Sequence, residues 1–114
     1  MVNSATKQID VSVEPILTVV MPIYNAGRFL RMAVISVLWQ SYTQWELIII
    51  DDGSTDDALQ SIGDIKDPRI KVFKDGKNKG LAIRLNEAIA LAQGRYIARM
   101  DQDDISYPER FFRQ

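Results

Sequence analysis

The 114-residue sequence contains no cysteine and no histidine. The first absence excludes disulfides and thiolate metal sites; the second removes the usual transition-metal ligand and the usual general base at neutral pH. Proline and glycine are sparse, at 4 and 6 residues, which excludes collagen-like and low-complexity chains. Neither sign of charge is in excess, since 14 basic residues face 15 acidic ones for a formal net charge of −1. That balance offers no general electrostatic footprint for nucleic acid or an anionic membrane, so any phosphate recognition has to be local. No apolar run approaches the roughly 18 residues of a membrane span, and the first fifteen residues lack the basic and apolar regions of a secretion signal. With 46% hydrophobic residues the chain has enough apolar material for one core and too little length for two domains. A soluble, cytoplasmic domain is the expectation, with association at the inner face of a membrane left open, and carboxylates remain as the main metal ligands.

Carboxylates are indeed concentrated in one place. Asp101, Asp103 and Asp104 follow directly on the apolar run Tyr96 to Met100. Like charges this close raise one another's pKa unless a cation, a basic group or open water compensates. A solvated acidic turn is one reading. The other is a seat for Mg²⁺ or Mn²⁺, hard cations that take oxygen ligands and commonly use one or two carboxylates together with substrate phosphates.

Four β-branched or apolar runs read as strands: Ile16 to Met21, stopped by Pro22; Glu46 to Ile50; Ile70, Val72 and Phe73; and Arg95 to Met100. Helical spacing recurs at Phe29, Leu30, Ala33, Val34, Val37 and Leu38, with Asn25 as the expected N-cap, and again at Leu81, Leu85, Ala88, Ile89 and Ala92, with Gly94 as the expected left-handed C-cap. Ser54 and Asp57 resemble a capping box before a further helix at Ala58, Leu59 and Ile62. Residues 1–15 read as a tail or a short edge strand. The alternation predicts an open, mostly parallel sheet of about four strands with helices on both faces, Rossmann-like in kind. The carboxyl ends of such strands share one edge, where ligands bind. Tyr24-Asn25, Asp51-Asp52 and Asp101 to Asp104 would therefore face one crevice.

Each of these groups also has an ordinary explanation. Asp51 to Ser54 suits any strand-to-helix turn. Pro22 and Tyr24 suit a strand end, although an aromatic beside a carboxylate is also what a base-binding pocket requires. Lys77, Lys79 and Arg84 suit a solvated face, and near the crevice they could neutralise a diphosphate. Arg99 and Arg110 flank the acidic cluster either as its ion-pair partners or as phosphate contacts. Trp39 and Trp45 are expected in packing.

Taken in order, Val19 to Asn25, Ile49 to Asp56, Asn78 to Ala82, and Tyr96 to Asp104 with Pro108-Glu109-Arg110 resemble the family 2 glycosyltransferases over residues 16–114. The resemblance implies the A-type fold of nucleotide-diphospho-sugar transferases and transfer of a sugar, with inversion, from a nucleotide-diphosphate donor, usually a UDP-sugar, aided by Mg²⁺ or Mn²⁺. It implies a glycan or lipid-linked acceptor, as in cell-wall or polysaccharide synthesis. Under it, Pro22 and Tyr24 lie against the base, Asp52 and Asp51 take the base edge or ribose, and Asp101 and Asp103 are the ends of the Asp-x-Asp motif. Asp103 is then the direct metal ligand, Asp101 holds the ribose or sugar side of the donor and shares the metal, and Asp104, Lys79 and Arg84 are further candidates. Many relatives have Arg just before the Asn of the helix after Asn-x-Gly; here Leu85 precedes Asn86 and Arg84 stands one residue earlier. The family's catalytic base lies beyond position 114. Residues 16–114 are thus expected to be the donor-binding part of a domain that continues, weak or inactive in transfer alone.

Two other classes compete. A response-regulator receiver domain is a non-enzymatic module of similar length with a carboxylate Mg²⁺ pocket, but its acidic pair follows the first strand and it needs a fifth strand with Lys. A sugar nucleotidyltransferase needs a Gly-rich basic loop after strand one, for which Asn25-Ala26-Gly27-Arg28 is a thin match.

Overall fold

The computed structural model describes residues 15–101. The elements are β1 (Leu17–Ile23), α1 (Phe29–Leu38), β2 (Trp45–Asp51), a 3-10 helix (Ala58–Ile62), β3 (Ile70–Lys74), α2 (Leu81–Leu91) and β4 (Tyr96–Arg99). All three strand pairings are parallel, and the order across the sheet is β3-β2-β1-β4. A receiver-type sheet would run 2-1-3-4-5; the observed order is the beginning of 3-2-1-4-5-6. The expected tail or edge strand, the acidic residues Asp103 and Asp104, and Arg110 lie outside the described residues.

β1 and β2 read as unbroken apolar runs because both of their faces are covered. Val19, Met21, Ile23, Leu47 and Ile49 point to one side and pack with Leu30, Ala33, Val34 and Val37 of α1 and with Ala58 and Ile62. Val20, Ile48 and Ile50 point to the other, against Ala88 and the partly buried Leu85 and Ala92. Pro22 does not stop β1 as predicted but lies within it, opposite Ile50. Its missing N–H is harmless there, because the pairing with β4 reaches only Val20, whose carbonyl accepts from the Met100 amide at 2.9 Å. Of the two tryptophans, Trp45 is buried as expected, whereas Trp39, past the end of α1, is 75% exposed.

Three capping expectations are corrected. Arg28, not Asn25, occupies the N-cap of α1, and no side chain bonds there. Ser54 and Asp57 form no capping box; Ser54 turns back to Asp51, and a short 3-10 helix follows instead of an α-helix. Gly94 does not have the left-handed backbone of a C-cap. Its glycine is required by proximity, since a Cβ there would sit 2.6 Å from both the backbone N and Oγ1 of Thr18.

At the amino edge of the sheet, Glu46 is 2% exposed. Its carboxylate accepts from Thr18 Oγ1 and Lys71 Nζ at 2.7 Å each and from the Gln93 amide at 2.6 Å. Burial pushes this carboxyl up, and the three donors outweigh it and hold it below the usual range. The arrangement ties the end of α2 to the first residues of β1 and β2.

Candidate functional site

The order of strands reverses between β1 and β4, and a cavity of about 440 Å³ opens at the carboxyl edge beside that point. It is lined by Pro22, Ile23, Tyr24, Asp52, Leu81, Arg99 and Asp101. Five of the residues singled out in the sequence, Pro22, Tyr24, Asp52, Arg99 and Asp101, therefore meet around one space. Pro22, Ile23 and Leu81 supply apolar surface, and Tyr24 presents a half-exposed ring.

The β2 end is the middle of three loops at this edge. On one side it is bonded to the loop after β1: Asn25 Oδ1 accepts from the Thr55 and Asp56 amides at 2.8 and 3.3 Å, and Asp56 Oδ2 accepts from the Gly27 amide at 3.0 Å. Asn25 can do this because its backbone is left-handed, φ 48°, a region Asn tolerates better than most residues. On the other side it meets the loop after β3. Asp52 accepts from Asn78 Nδ2 at 3.0 Å, from the Lys79 amide at 2.7 Å, from the Gly80 amide at 3.1 Å and from Arg84 Nε at 2.9 Å. The two loops touch so closely that a Cβ on Gly53 would lie 2.8 Å from the Lys77 carbonyl group.

Asp52 thus holds the amides of Lys79 and of Gly80, the N-cap residue of α2, and sets a negative charge near the helix N-terminus where the dipole favours it. Burial pushes its carboxyl up, but the Lys79 amide, the Arg84 guanidinium and the Gly80 amide together hold it below the ordinary carboxylate range. It is ionised, and hence an acceptor only, at neutral pH.

Asp51 does not join this space. Its side chain points to the opposite side of the sheet, accepts from the Ser54 amide at 3.1 Å and from Ser54 Oγ, and borders a separate depression with Lys74 and Asp75. Lys79 Nζ is paired with Glu87 at 3.0 Å and Asp75 at 3.2 Å. Arg84 is not on a solvated face: it is 2% exposed and bonded to Asp52, Asp75 and Glu87. Ile23 and Leu81 are lining residues that the sequence alone did not single out; Leu81 was detectable as the residue that opens α2 directly behind the basic loop.

At the lip, Arg99 pairs with Asp101 at 3.1 Å, the ion-pair role considered for it above. The oxygen-only donors at this lip suit a hard divalent cation rather than a soft one. Asp101 is the described residue able to contribute, with its side chain about half exposed, and Asp103 and Asp104 lie outside the described residues. Among the described residues no three metal-ligating side chains stand together, and no helix is long and apolar enough to cross a membrane.

Comparison with known proteins agrees with this geometry. The family model described as glycosyl transferase family 2 matches residues 18–114. A putative teichuronic acid biosynthesis glycosyltransferase, TuaG of Bacillus subtilis, is 46% identical over 94 residues, covering 80% of this chain and 37% of that protein. Among solved structures, S. aureus TarS in complex with UDP superposes with a TM-score of 0.78 at 26% identity, over 85% of this chain and 30% of that one. A mannosyltransferase from Pyrobaculum calidifontis in complex with GDP-Man and Mn²⁺ gives 0.73 at 25% identity, over 85% and 30%. The chain spans about two fifths of the length of the curated relatives it matches.

Proposed function

Because the chain belongs to glycosyl transferase family 2, we propose that residues 16–114 bind a nucleotide-diphosphate sugar, a UDP-sugar in the first instance, for metal-dependent transfer with inversion to a glycan or lipid-linked acceptor in polysaccharide synthesis. The observation that carries this reading is the single cavity at the strand-order reversal, with Tyr24 and Pro22 on one side, Asp52 at its wall and Asp101 at its lip. Two of the similar solved structures hold UDP or GDP-Man with Mn²⁺, and teichuronic acid synthesis is named for one relative.

In this reading the apolar surface of Pro22 and the ring of Tyr24 receive the base, and the acceptor-only carboxylate of Asp52 orients a ligand N–H or hydroxyl. Asp101 holds the ribose or sugar side and, with Asp103, the cation; Asp104 assists. A bound Mg²⁺ or Mn²⁺ neutralises the charge that develops on the departing diphosphate. Arg99, released from Asp101, adds positive charge at the same lip. The base that activates the acceptor comes from outside these residues, so this chain supplies the donor half of the reaction.

The test is a thermal shift with UDP and Mn²⁺ against acetyl phosphate and Mg²⁺. Stabilisation is expected with the first pair alone, lost in Asp101→Ala and in Asp103→Ala, following the mass-action rise with ligand concentration. Stabilisation by acetyl phosphate instead, or indifference of the UDP effect to both substitutions, would refute the reading. Efficient transfer to a defined acceptor by the 114 residues alone would refute its second half.

A further inference from the structure

Arg84 is an unusual residue to find inside α2. It belongs to the inward-facing stripe with Leu85, Ala88 and Ala92, and it is as buried as the apolar core. A guanidinium cannot shed its charge there, so every N–H needs an acceptor. The structure supplies them all from one neighbourhood. Nε donates to Asp52 Oδ1 at 2.9 Å, Nη1 to Glu87 at 2.8 Å and Asp75 at 3.2 Å, and Nη2 to Asp75 at 2.7 Å and to the Lys77 carbonyl. Arg84 is not among the residues that line the cavity. What it touches is the wall from behind.

Four N–H donors converge on Asp52, and Arg84 is the charged one of the four. The other ends of its fork hold Asp75 and Lys77, the first half of the loop whose second half, Asn78 to Gly80, supplies the remaining donors. One side chain therefore fixes both the rotamer of the cavity-lining carboxylate and the loop that meets it. It also offsets a negative charge that would otherwise stand uncompensated beside an incoming diphosphate.

Building on the donor-site reading, we propose that Arg84 is a positioning residue for nucleotide binding, acting through Asp52 and the loop from Asp75 to Gly80 and not by touching the diphosphate itself. A purely structural arginine would lower the melting temperature and leave the affinity of the folded protein alone. A positioning arginine makes affinity depend on it, and makes that dependence vanish once Asp52 is altered.

Calorimetric titration of UDP with Mn²⁺ into the chain, at a temperature where circular dichroism shows each variant folded, separates the two. Arg84→Gln is expected to weaken UDP by about tenfold, the equivalent of one charged hydrogen bond. Arg84→Lys, which keeps the charge and loses the fork, should recover only part of it. Asp52→Asn should weaken UDP as well, and the double variant Asp52→Asn/Arg84→Gln should bind no more weakly than Asp52→Asn alone. Additive losses in the double variant, or wild-type affinity in folded Arg84→Gln, would overturn the proposal while leaving the donor site standing. If Arg84→Gln does not fold, Asp75→Asn decides instead: it weakens the outer end of the fork and the start of the loop without removing a donor from Asp52, and UDP affinity should fall about threefold, with an unchanged value overturning the proposal. A wild-type chain that binds no UDP would remove the donor-site reading, and this one with it.

Discussion

Glu46 is the second residue of β2 and Asp52 stands one residue past its end, so a single strand presents a buried carboxylate at each edge of the sheet. Both are gripped by several donors and both fasten α2, Glu46 through Gln93 behind the helix and Asp52 through Gly80 in front of it. They differ in what lies beyond them. Asp52 borders the cavity at the strand-order reversal, and Glu46 is at the opposite edge, away from it. A buried ion pair is thus no sign of function in itself; its position relative to the crevice is what distinguishes the two.

Substitution at the amino edge should give the largest loss of stability with no effect on ligand. Glu46→Ala strands the fully buried Thr18 hydroxyl and unpairs Lys71, and is expected to cost about 3 kcal/mol in urea unfolding while the folded remainder binds UDP as the wild type does. A weakened UDP affinity would break the contrast between the two edges.

The glycines offer a second, somewhat smaller comparison, since Gly94 and Gly53 each face backbone too close for a Cβ. Gly94→Ala should cost about 2 kcal/mol by pushing Thr18 away, again without changing UDP affinity. Gly53→Ala, strained also by its φ of 81°, should cost about as much, and in addition weaken UDP, because it displaces the loop that holds Asp52. Equal behaviour of the two variants toward UDP would count against the assignment of the carboxyl edge as the binding edge.

The smallest effect is in pH. The carboxyls of Asp52, Asp75, Glu87 and Glu46 are all held below their ordinary values in the folded protein. Their stabilisation is present above the unfolded carboxyl pKa of about 4 and is lost as pH falls through the lower folded values. With no histidine in the chain, the melting temperature should stay flat from about pH 6 to pH 8 and decline below about pH 4. In Glu46→Gln the decline should be shallower, because one of the contributing groups no longer titrates.

The parts of the molecule visible in the sequence are those governed by short-range pattern. Runs such as Leu47 to Ile50 announce strands covered on both faces, and the alternation of strands with helices is enough to bring Tyr24, Asp52 and Asp101 to one edge. Strand alternation also carried a signal: Asp51, the last residue of β2, falls on the same side as Leu47 and Ile49, away from the crevice, which leaves Asp52, just past the strand, to face it. What the sequence hid were partnerships across 26 to 32 residues, from Asp52 to Asn78 and to Arg84, and the use of Asn25 and Ser54 as ties between loops instead of caps. Local rules assign such polar side chains to the nearest backbone; here a distant loop competes for them and wins.

The strand order has a further consequence, for time. β1 lies beside β4, and the tie between Thr18 and Gly94 joins residues 76 apart in the chain. Tyr24 and Asp52 can be set in place by the β1-β2 pairing, but Arg99 and Asp101 arrive only with β4. The two walls of the cavity therefore belong to different moments of folding: the pocket has the highest contact order in the sheet, and a chain emerging amino end first completes its core strands before it has anywhere to bind a ligand.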